Sequence, residues 1–151
     1  SQSNGNIENK INITTSSLYS SFPPSNVVIY NDDNKWFQIY SGGLNNWLCI
    51  EFKENKIIPT SYQIKSIPYG SGSNHLKSWV IEGSNDNSKW EKIDEQNNNS
   101  CLNGNCNTHI FTIENSKSTE FRFIRIRNTG PNWASDNYLM LGSIEFYGKL
   151  I

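Results

Sequence analysis

The segment KSWVIEGSNDNSKWEKID, residues 77–94, decides the fold. Side chains alternate between two faces from Trp79 to Ser84, and this period of two is typical of a strand. Turn-forming residues occupy positions 85–88, and Trp90 then opens a second apolar segment that ends at Ile93. The sequence therefore predicts a β-hairpin at the centre of a β-sandwich. Both indoles are expected in the core, because burying one removes about 150–250 Å² of surface from water.

Short apolar segments recur along the rest of the chain. Strands or short apolar pieces are predicted at 11–16, 26–30, 36–40, 47–52, 62–67, 109–113, 120–128 and 138–147. Polar turns separate them, and no long segment has the 3.6-residue period of a helix. This pattern indicates an all-β protein, an antiparallel sandwich or barrel. Residues 1–10 are expected to form a flexible polar lead, and residues 11–150 a single domain.

Charge and hydropathy argue against two kinds of partner. The 151 residues carry a formal net charge of -1, and 18% of them are charged. A broad basic surface that could bind nucleic-acid phosphates is therefore not expected. No apolar run approaches the ~20 residues that a transmembrane helix needs. The aromatic fraction of 13% favours a packed core over disorder.

Three cysteines leave the redox compartment open. Cys49 lies in an apolar segment and is expected to be a small buried thiol. Cys101 and Cys106 flank the turn sequence LNGN, so they either form a disulfide across a hairpin or remain a reduced pair. A zinc site is not expected, since the two histidines of the chain have no ligand pair at finger spacing.

Three arginines, at positions 122, 125 and 127, lie on the most strand-like segment of the chain. A charged side chain that a sheet buries needs a partner of opposite charge. At least one of these arginines is therefore expected to form a buried or edge ion pair, with Glu82 or Glu145.

The strand sequences taken together resemble a known family. The matching pieces are NVVIYNDDNKWF, NNWLCIEF, PTSYQIKS, HLKSWVIEGSNDNSKWEKID, FRFIRIRNTGPNW and LGSIEFYGKL, in the order of the family. They are similar to the coagulation factor 5/8 type C, or discoidin, domain of the galactose-binding-domain-like superfamily, from about residue 11 to residue 150. Within this family, the matching sequences are most similar to the variant found in intracellular multidomain proteins that also carry BTB or ankyrin modules.

The resemblance implies an antiparallel jelly-roll sandwich of about eight main strands, with both termini at one end and ligand-binding loops at the other. Family members bind sugars, lipid head groups or proteins, and as a rule they do no chemistry. The resemblance also implies that this domain is part of a larger protein. Secreted members commonly have a disulfide-bonded cysteine near each end, and this chain has neither. An intracellular location is therefore favoured.

Candidate ligand residues lie in the predicted loops, where an aromatic ring can face a sugar and polar groups can bind its hydroxyls. They are Tyr40, Tyr69, His75, Asn132, Trp133, Asp136 and Asn137. Trp133 stands in a polar loop, so it either lines an open groove or folds back to plug one end of the sandwich. The resemblance assigns Trp36 to the core. Galactose-binding members commonly place an arginine where this chain reads Pro68-Tyr69-Gly70, which argues against galactose specificity.

Many members of the family hold a structural calcium ion with carbonyl and carboxylate oxygens, the ligands that this hard cation requires. The residues of this chain that could serve are Asp32, Asp33 and Glu145. Ile29 stands where the family usually has an aspartate. The alternative is that these acids are solvated turn residues and that the domain needs no cofactor.

Catalysis is not predicted. Neither histidine lies near a nucleophile elbow, and the sequence GSGS at 70–73 has no strand-to-helix context. The sequence favours a non-enzymatic recognition module that binds a protein or peptide partner through loops at one end of the sandwich. The alternative is a lectin-like module that recognises a glycan with the loop aromatics and amides.

Overall fold

The computed structural model describes residues 10–17, 22–39 and 43–151. Most of the predicted polar lead and the candidate residue Tyr40 lie outside these ranges. Within them the chain forms ten strands and one short 3₁₀ helix, Pro24–Val28. The strands are β1 (Ile11–Thr15), β2 (Phe37–Ile39), β3 (Trp47–Phe52), β4 (Ile57–Lys65), β5 (Trp79–Ser84), β6 (Glu91–Gln96), β7 (Thr108–Thr112), β8 (Phe123–Asn128), β9 (Leu139–Leu141) and β10 (Ser143–Leu150).

The strands form an antiparallel β-sandwich, which confirms the predicted fold class. One sheet has the order β1-β3-β8-β5-β6, a second has the order β10-β4-β7, and β2 pairs with β9. The predicted closing strand is two strands, because the chain turns at Gly142 between β9 and β10. Strand β6 runs to Gln96, beyond Ile93, where the second apolar segment of the predicted hairpin ends.

The central hairpin is present as β5 and β6, and its first tryptophan lies in the core as predicted. Trp79 is fully buried. Its indole N–H donates to the hydroxyl of Tyr62 at 3.0 Å, and that hydroxyl donates to the carboxylate of Asp94. The ring of Phe111 meets the indole edge to face, with 5.4 Å between the ring centroids. These contacts join the two sheets across the sandwich.

The prediction for the second tryptophan was wrong, and a β-bulge is the reason. The pairing of β5 with β6 shifts by one residue between Ile81 and Glu82. A one-residue shift moves every later side chain of the strand to the opposite face. Trp90 therefore lies half-buried on the outer face of the sheet, where the guanidinium of Arg125 sits 3.9 Å from its ring centroid.

The predicted ion pair is confirmed on that same outer face. The carboxylate of Glu82 accepts from the Nε–H of Arg125 at 2.9 Å and from the Nε–H of Arg127 at 2.8 Å. The Glu82 side chain is 10% exposed, while those of the arginines are 17% and 25% exposed. Burial by itself raises the pKa of the Glu82 carboxyl, but the two guanidinium groups outweigh it and hold that pKa below its ordinary value.

We expect Gly83→Ala to destabilise the protein by about 1–3 kcal/mol, the usual cost of overpacking a core. A Cβ at Gly83 would lie 2.5 Å from the ring of Phe121, which is itself buried. Gly70→Ala is the matched control, because nothing lies within 4 Å of the Cβ position there. Urea unfolding measures both changes. Equal stability of the two variants would contradict the predicted clash.

Both ends of the described chain meet at one turn. The amide of Lys53 donates to the carbonyl of Lys10, and Lys56 and Ile151 exchange two backbone hydrogen bonds of 2.9 Å. The turn between β3 and β4 thus marks the end of the sandwich where the chain enters and leaves. The loops that carry the candidate residues lie at the opposite end.

Candidate functional site

Several loops gather at the end of the sandwich away from the termini, and we call this surface the loop end. Its segments are residues 43–46, 66–78, 97–107 and 129–138. The side-chain amide of Asn46 donates to the carbonyl of Asn137 at 2.9 Å. The amide of Asn74 donates to the carboxylate of Asp136 at 2.6 Å. These bonds join loops that are far apart in sequence, so the surface is built by tertiary contacts.

The loop between β8 and β9 is held by its own polar side chains. The amide oxygen of Asn132 accepts from the backbone N–H of Ala134 at 2.9 Å, and its NH₂ donates to Asp136 at 2.6 Å. The same Asp136 oxygen accepts from the backbone N–H of Tyr138. Asn132 is 3% exposed. The side chains of Asn132 and Asp136, both predicted to bind a ligand, therefore form hydrogen bonds that hold this loop in its conformation.

His75 is also part of the interior. The residue is fully buried, and its Nε2 lies 2.9 Å from the carbonyl oxygens of both Tyr69 and Gly70. These contacts require the tautomer with the proton on Nε2, which donates to the carbonyls. The backbone carbonyl of His75 accepts from the N–H of Trp133 at 3.1 Å. In this arrangement the imidazole shapes the glycine-rich loop and does not face solvent.

Trp133 adopts neither of the two predicted arrangements in full. It is half-buried, and its indole N–H donates to the carbonyl of Asn99 at 3.4 Å. The ammonium of Lys77 lies 4.7 Å from the ring centroid, in the geometry of a cation–π contact. The indole thus lies along the surface, anchored at one edge and with a lysine over its ring.

Two large hydrophobic side chains of the loop end are exposed. Leu44 is 50% exposed and Tyr69 is 47% exposed. Trp36 meets the ring of Tyr69 edge to face with 5.8 Å between centroids, and it stacks on Phe22 at 4.8 Å. The expectation that Trp36 belongs to the core was therefore wrong, since the indole is half-buried beside Tyr69.

Sequence reasoning assigned Trp36 to the core and missed three other contributors to this surface: Phe22, Leu44 and Lys77. Leu44 offered a signal, because it is a lone apolar residue in a turn-forming stretch. Lys77 and Phe22 offered none. Their positions over Trp133 and beside Trp36 depend on how distant loops pack.

The acids proposed for calcium have hydrogen-bond partners within the protein. No cluster of three or more histidine, cysteine or carboxylate side chains able to hold a metal occurs in the described part of the chain. Asp33 instead accepts from the ammonium of Lys65 at 3.0 Å, and this ammonium also donates to the carbonyl of Tyr30 at 3.1 Å. Asp32 caps its own turn, and Glu145 accepts from a neighbouring tyrosine hydroxyl. A lysine therefore holds the oxygens of the 30–33 turn that a cation would need.

The cysteines are thiols in this structure. Cys49 is buried, as predicted, and burial raises its pKa to about 11. Cys101 and Cys106 are both half-buried and unbridged. Of the two alternatives for this pair, the structure shows the reduced one.

Comparison with known proteins adds sequence relatives and structural neighbours. The E3 ubiquitin-protein ligase hecd-1 of Caenorhabditis elegans is 29% identical over 96 residues, and the E3 ubiquitin-protein ligase Ufd4 of Drosophila melanogaster is 31% identical over 98 residues. Each match covers 63% of this chain and 4% of the ligase. The chain thus corresponds to a small part of each relative.

Two solved structures from Clostridium perfringens have the same fold. The family 32 carbohydrate-binding module of NanJ, in complex with galactose, aligns with a TM-score of 0.71 and 12% identity, over 92% of this chain and 94% of that one. CBM32-3 of a family 31 glycoside hydrolase aligns with a TM-score of 0.68 and 20% identity, over 93% and 92% of the two chains. Both are antiparallel sandwiches of this type.

Among the described residues, no helix combines the length and the apolar character needed to cross a membrane. The sequence model of the F5/8 type C domain matches residues 12–142, most of the chain. This match covers every strand from β2 to β9, so the resemblance noted in the strand sequences is confirmed. The chain therefore belongs to the F5/8 type C domain family and is a binding module of that fold.

Proposed function

We propose that the domain is a non-enzymatic module that binds a protein or peptide partner at the loop end. One observation carries the proposal. The side chains of Asn132 and Asp136, which were candidates to bind a sugar, form hydrogen bonds within the protein, and so does the Nε2 of the buried His75. The large hydrophobic side chains exposed at this surface are Leu44 and Tyr69, and the polar residues exposed near them in sequence include Asn45 and Ser71.

This mixture of side chains suits a protein interface. Aromatic residues are enriched at the centres of such interfaces, where they supply a large contact area at a small cost in conformational entropy. Trp133 and Lys77 add a second pair of side chains that a partner could contact. The ammonium of Lys77 forms no ion pair within the described residues. The hydrogen bonds between the loops fix the surface before any partner arrives, which lowers the entropy cost of binding.

The sequence relatives point the same way. Both are named E3 ubiquitin-protein ligases, enzymes that act on proteins. Each is far longer than this chain, as expected if the domain serves as one recognition module of a large protein. Their identities of 29% and 31% exceed those of the sugar-binding structural neighbours.

A glycan is the second candidate, and Tyr69 is the feature that favours it. Its half-exposed ring stands beside Trp36, and the NanJ module with the same fold was solved with galactose. A sugar would stack on such a ring and would need hydrogen bonds from neighbouring polar groups. Two of the polar groups predicted for that role, those of Asn132 and Asp136, bond to each other instead.

The test combines photo-crosslinking with a glycan array. A photoreactive amino acid is placed at Leu44, at Tyr69 or, as the control, at Lys89 in the exposed turn after β5. In a lysate of the source organism, we expect the first two positions to give discrete adducts that contain peptides of a partner by mass spectrometry and that deglycosylation leaves in place. The wild-type domain on the array is expected to show no saturable binding.

Two results would contradict the proposal. Adducts that form equally well from Lys89 would mean that the loop end is not the binding surface. Saturable binding of one glycan class, lost in Tyr69→Ala and kept in Lys89→Ala, would establish the glycan function instead.

A further inference from the structure

Strand β7 forms an open edge of the three-stranded sheet. It pairs with β4 on one side, and no other described strand pairs with it. Four of its five residues are exposed, and only Phe111 is buried. Ile110, at the middle of the strand, is 58% exposed, the largest exposure of any large hydrophobic residue described.

The hydrogen bonds at the two ends of β7 show which of its backbone N–H and C=O groups point away from β4. The carbonyl of Asn107 accepts from the amide of Ser66, and the amide of Ile113 donates to the carbonyl of Thr60. Backbone groups of an antiparallel strand point alternately toward the partner strand and away from it. Residues 107, 109, 111 and 113 therefore bond to β4, and the N–H and C=O groups of Thr108, Ile110 and Thr112 point away from it.

The other edges of the two larger sheets are protected in ways that β7 is not. Strand β6 has the sequence EKIDEQ, and β10 carries a bulge between Tyr147 and Gly148. Charged residues and bulges are the usual means of keeping strand edges from pairing. Strand β1 packs against the 3₁₀ helix. Strand β7, with the sequence THIFT, has no Lys, Arg, Asp, Glu or Pro, and its pairing with β4 has no bulge.

From this geometry we propose that a second copy of the chain pairs with β7, antiparallel, about a two-fold axis through Ile110. This register places Thr108 opposite Thr112 of the other copy and Ile110 opposite its own equivalent. The three residues whose backbone groups face outward then pair only with one another, so every outward N–H and C=O of the strand is bonded. The two three-stranded sheets become one continuous sheet of six strands.

The side chains favour the same register. On the outer face of the sheet the pairs are Ile with Ile and Thr with Thr, and β-branched pairs of this kind stabilise antiparallel strands. His109 lies opposite Phe111 of the other copy, so the two imidazoles are not adjacent. A two-fold pairing of β6 would instead bring its several carboxylates together.

The pairing would set the direction of the two loop ends. Thr108 is the end of β7 nearest the loop end, because the 97–107 loop precedes it. In an antiparallel pair Thr108 lies beside Thr112 of the other copy. The two loop ends therefore face in opposite directions, and the dimer could join two partner molecules.

Sedimentation equilibrium of the 151-residue chain tests the proposal. The contact between the two β7 strands is short, so the protein concentration is raised to about 1 mM, a range in which small, transient interfaces are half-populated. We expect reversible dimers in the wild type and monomers in Ile110→Lys, which places two ammonium groups opposite each other. Leu150→Lys is the matched control: it is 57% exposed on the other edge strand of the same sheet and should still dimerise.

A second measurement decides the register and does not depend on the lysine variant. Residues in a hydrogen-bonded antiparallel pair have Cα atoms about 5.5 Å apart, within the range of a disulfide. Ile110→Cys is therefore expected to form an intermolecular disulfide faster than Leu150→Cys or the wild type with its three thiols. A wild type that stays monomeric at the highest concentration would overturn the proposal. Dimers that survive Ile110→Lys, or equal oxidation rates in the two cysteine variants, would overturn it as well.

Discussion

Trp79→Ala is expected to lower the free energy of unfolding by about 3–5 kcal/mol, as for other large aromatic residues removed from cores. The side chain has no exposed surface and lies between the two sheets. Its loss would leave a cavity beside Phe111 and would remove the N–H donor of Tyr62. A small β-sandwich has a total stability of only about 5–15 kcal/mol, so the variant should lose a large part of it. Urea unfolding followed by circular dichroism measures the change.

Trp79→Phe separates the packing of the indole from its hydrogen bond. Phenylalanine keeps one ring against Phe111, removes the donor to Tyr62 and leaves a smaller cavity than alanine does, so it is expected to cost about 1–3 kcal/mol. Equal losses in Trp79→Ala and Trp79→Phe would mean that the hydrogen bond, not the packed ring, anchors the hairpin. A loss below about 1 kcal/mol in the alanine variant would contradict the role of Trp79 altogether.

Glu82→Gln is expected to cost about 2–4 kcal/mol at neutral pH, since breaking a buried pair leaves uncompensated charge. Two guanidinium groups, those of Arg125 and Arg127, would lose the carboxylate that pairs with both of them. Glu95→Gln is the control on the same sheet. Glu95 pairs with Lys92, but both side chains are largely exposed. No measurable change is expected there, because exposed pairs contribute little.

The same carboxylate predicts a dependence on pH. The folded-state pKa of Glu82 lies below its ordinary value of 4.5 because the arginine bonds outweigh burial. Its stabilisation is therefore fully present above pH 4.5 and is lost as the pH falls through the folded-state pKa. The stability difference between wild type and Glu82→Gln should shrink in that acidic range. A difference that stays constant below pH 4.5 would contradict the assignment of Glu82 as the titrating group.

The fold could be predicted because its signals are local. The alternation around Trp79 and the turn after Ser84 are visible within a few residues, and short apolar segments separated by polar turns recur along the chain. The face on which Trp90 lies could not be predicted in this way. It depends on the bulge between Ile81 and Glu82, and a bulge is a property of the pairing of two strands. No pattern within one strand reveals it.

The candidate site was less predictable, because the type of a residue does not show which partners its side chain will bond to in the folded protein. Asn132 and Asp136 were chosen as polar loop residues, yet they bond to each other. His75 was chosen for the same reason, and it supports the loop from inside. Trp36 and Tyr69 are more than thirty residues apart in sequence, and only folding brings them into contact.

The meeting of both chain ends at the β3–β4 turn has a mechanical consequence. Tension applied between Lys10 and Ile151 would enter the sandwich at a single end, through hydrogen bonds to Lys53 and Lys56. The load would peel β1 from β3 and β10 from β4 one hydrogen bond at a time, an unzipping geometry that resists force poorly. The four loops at the far end lie off this line of force. A partner bound there would stay attached while β1 and β10 detached from the sheets. Unfolding of these two terminal strands would therefore protect the binding surface from the applied force.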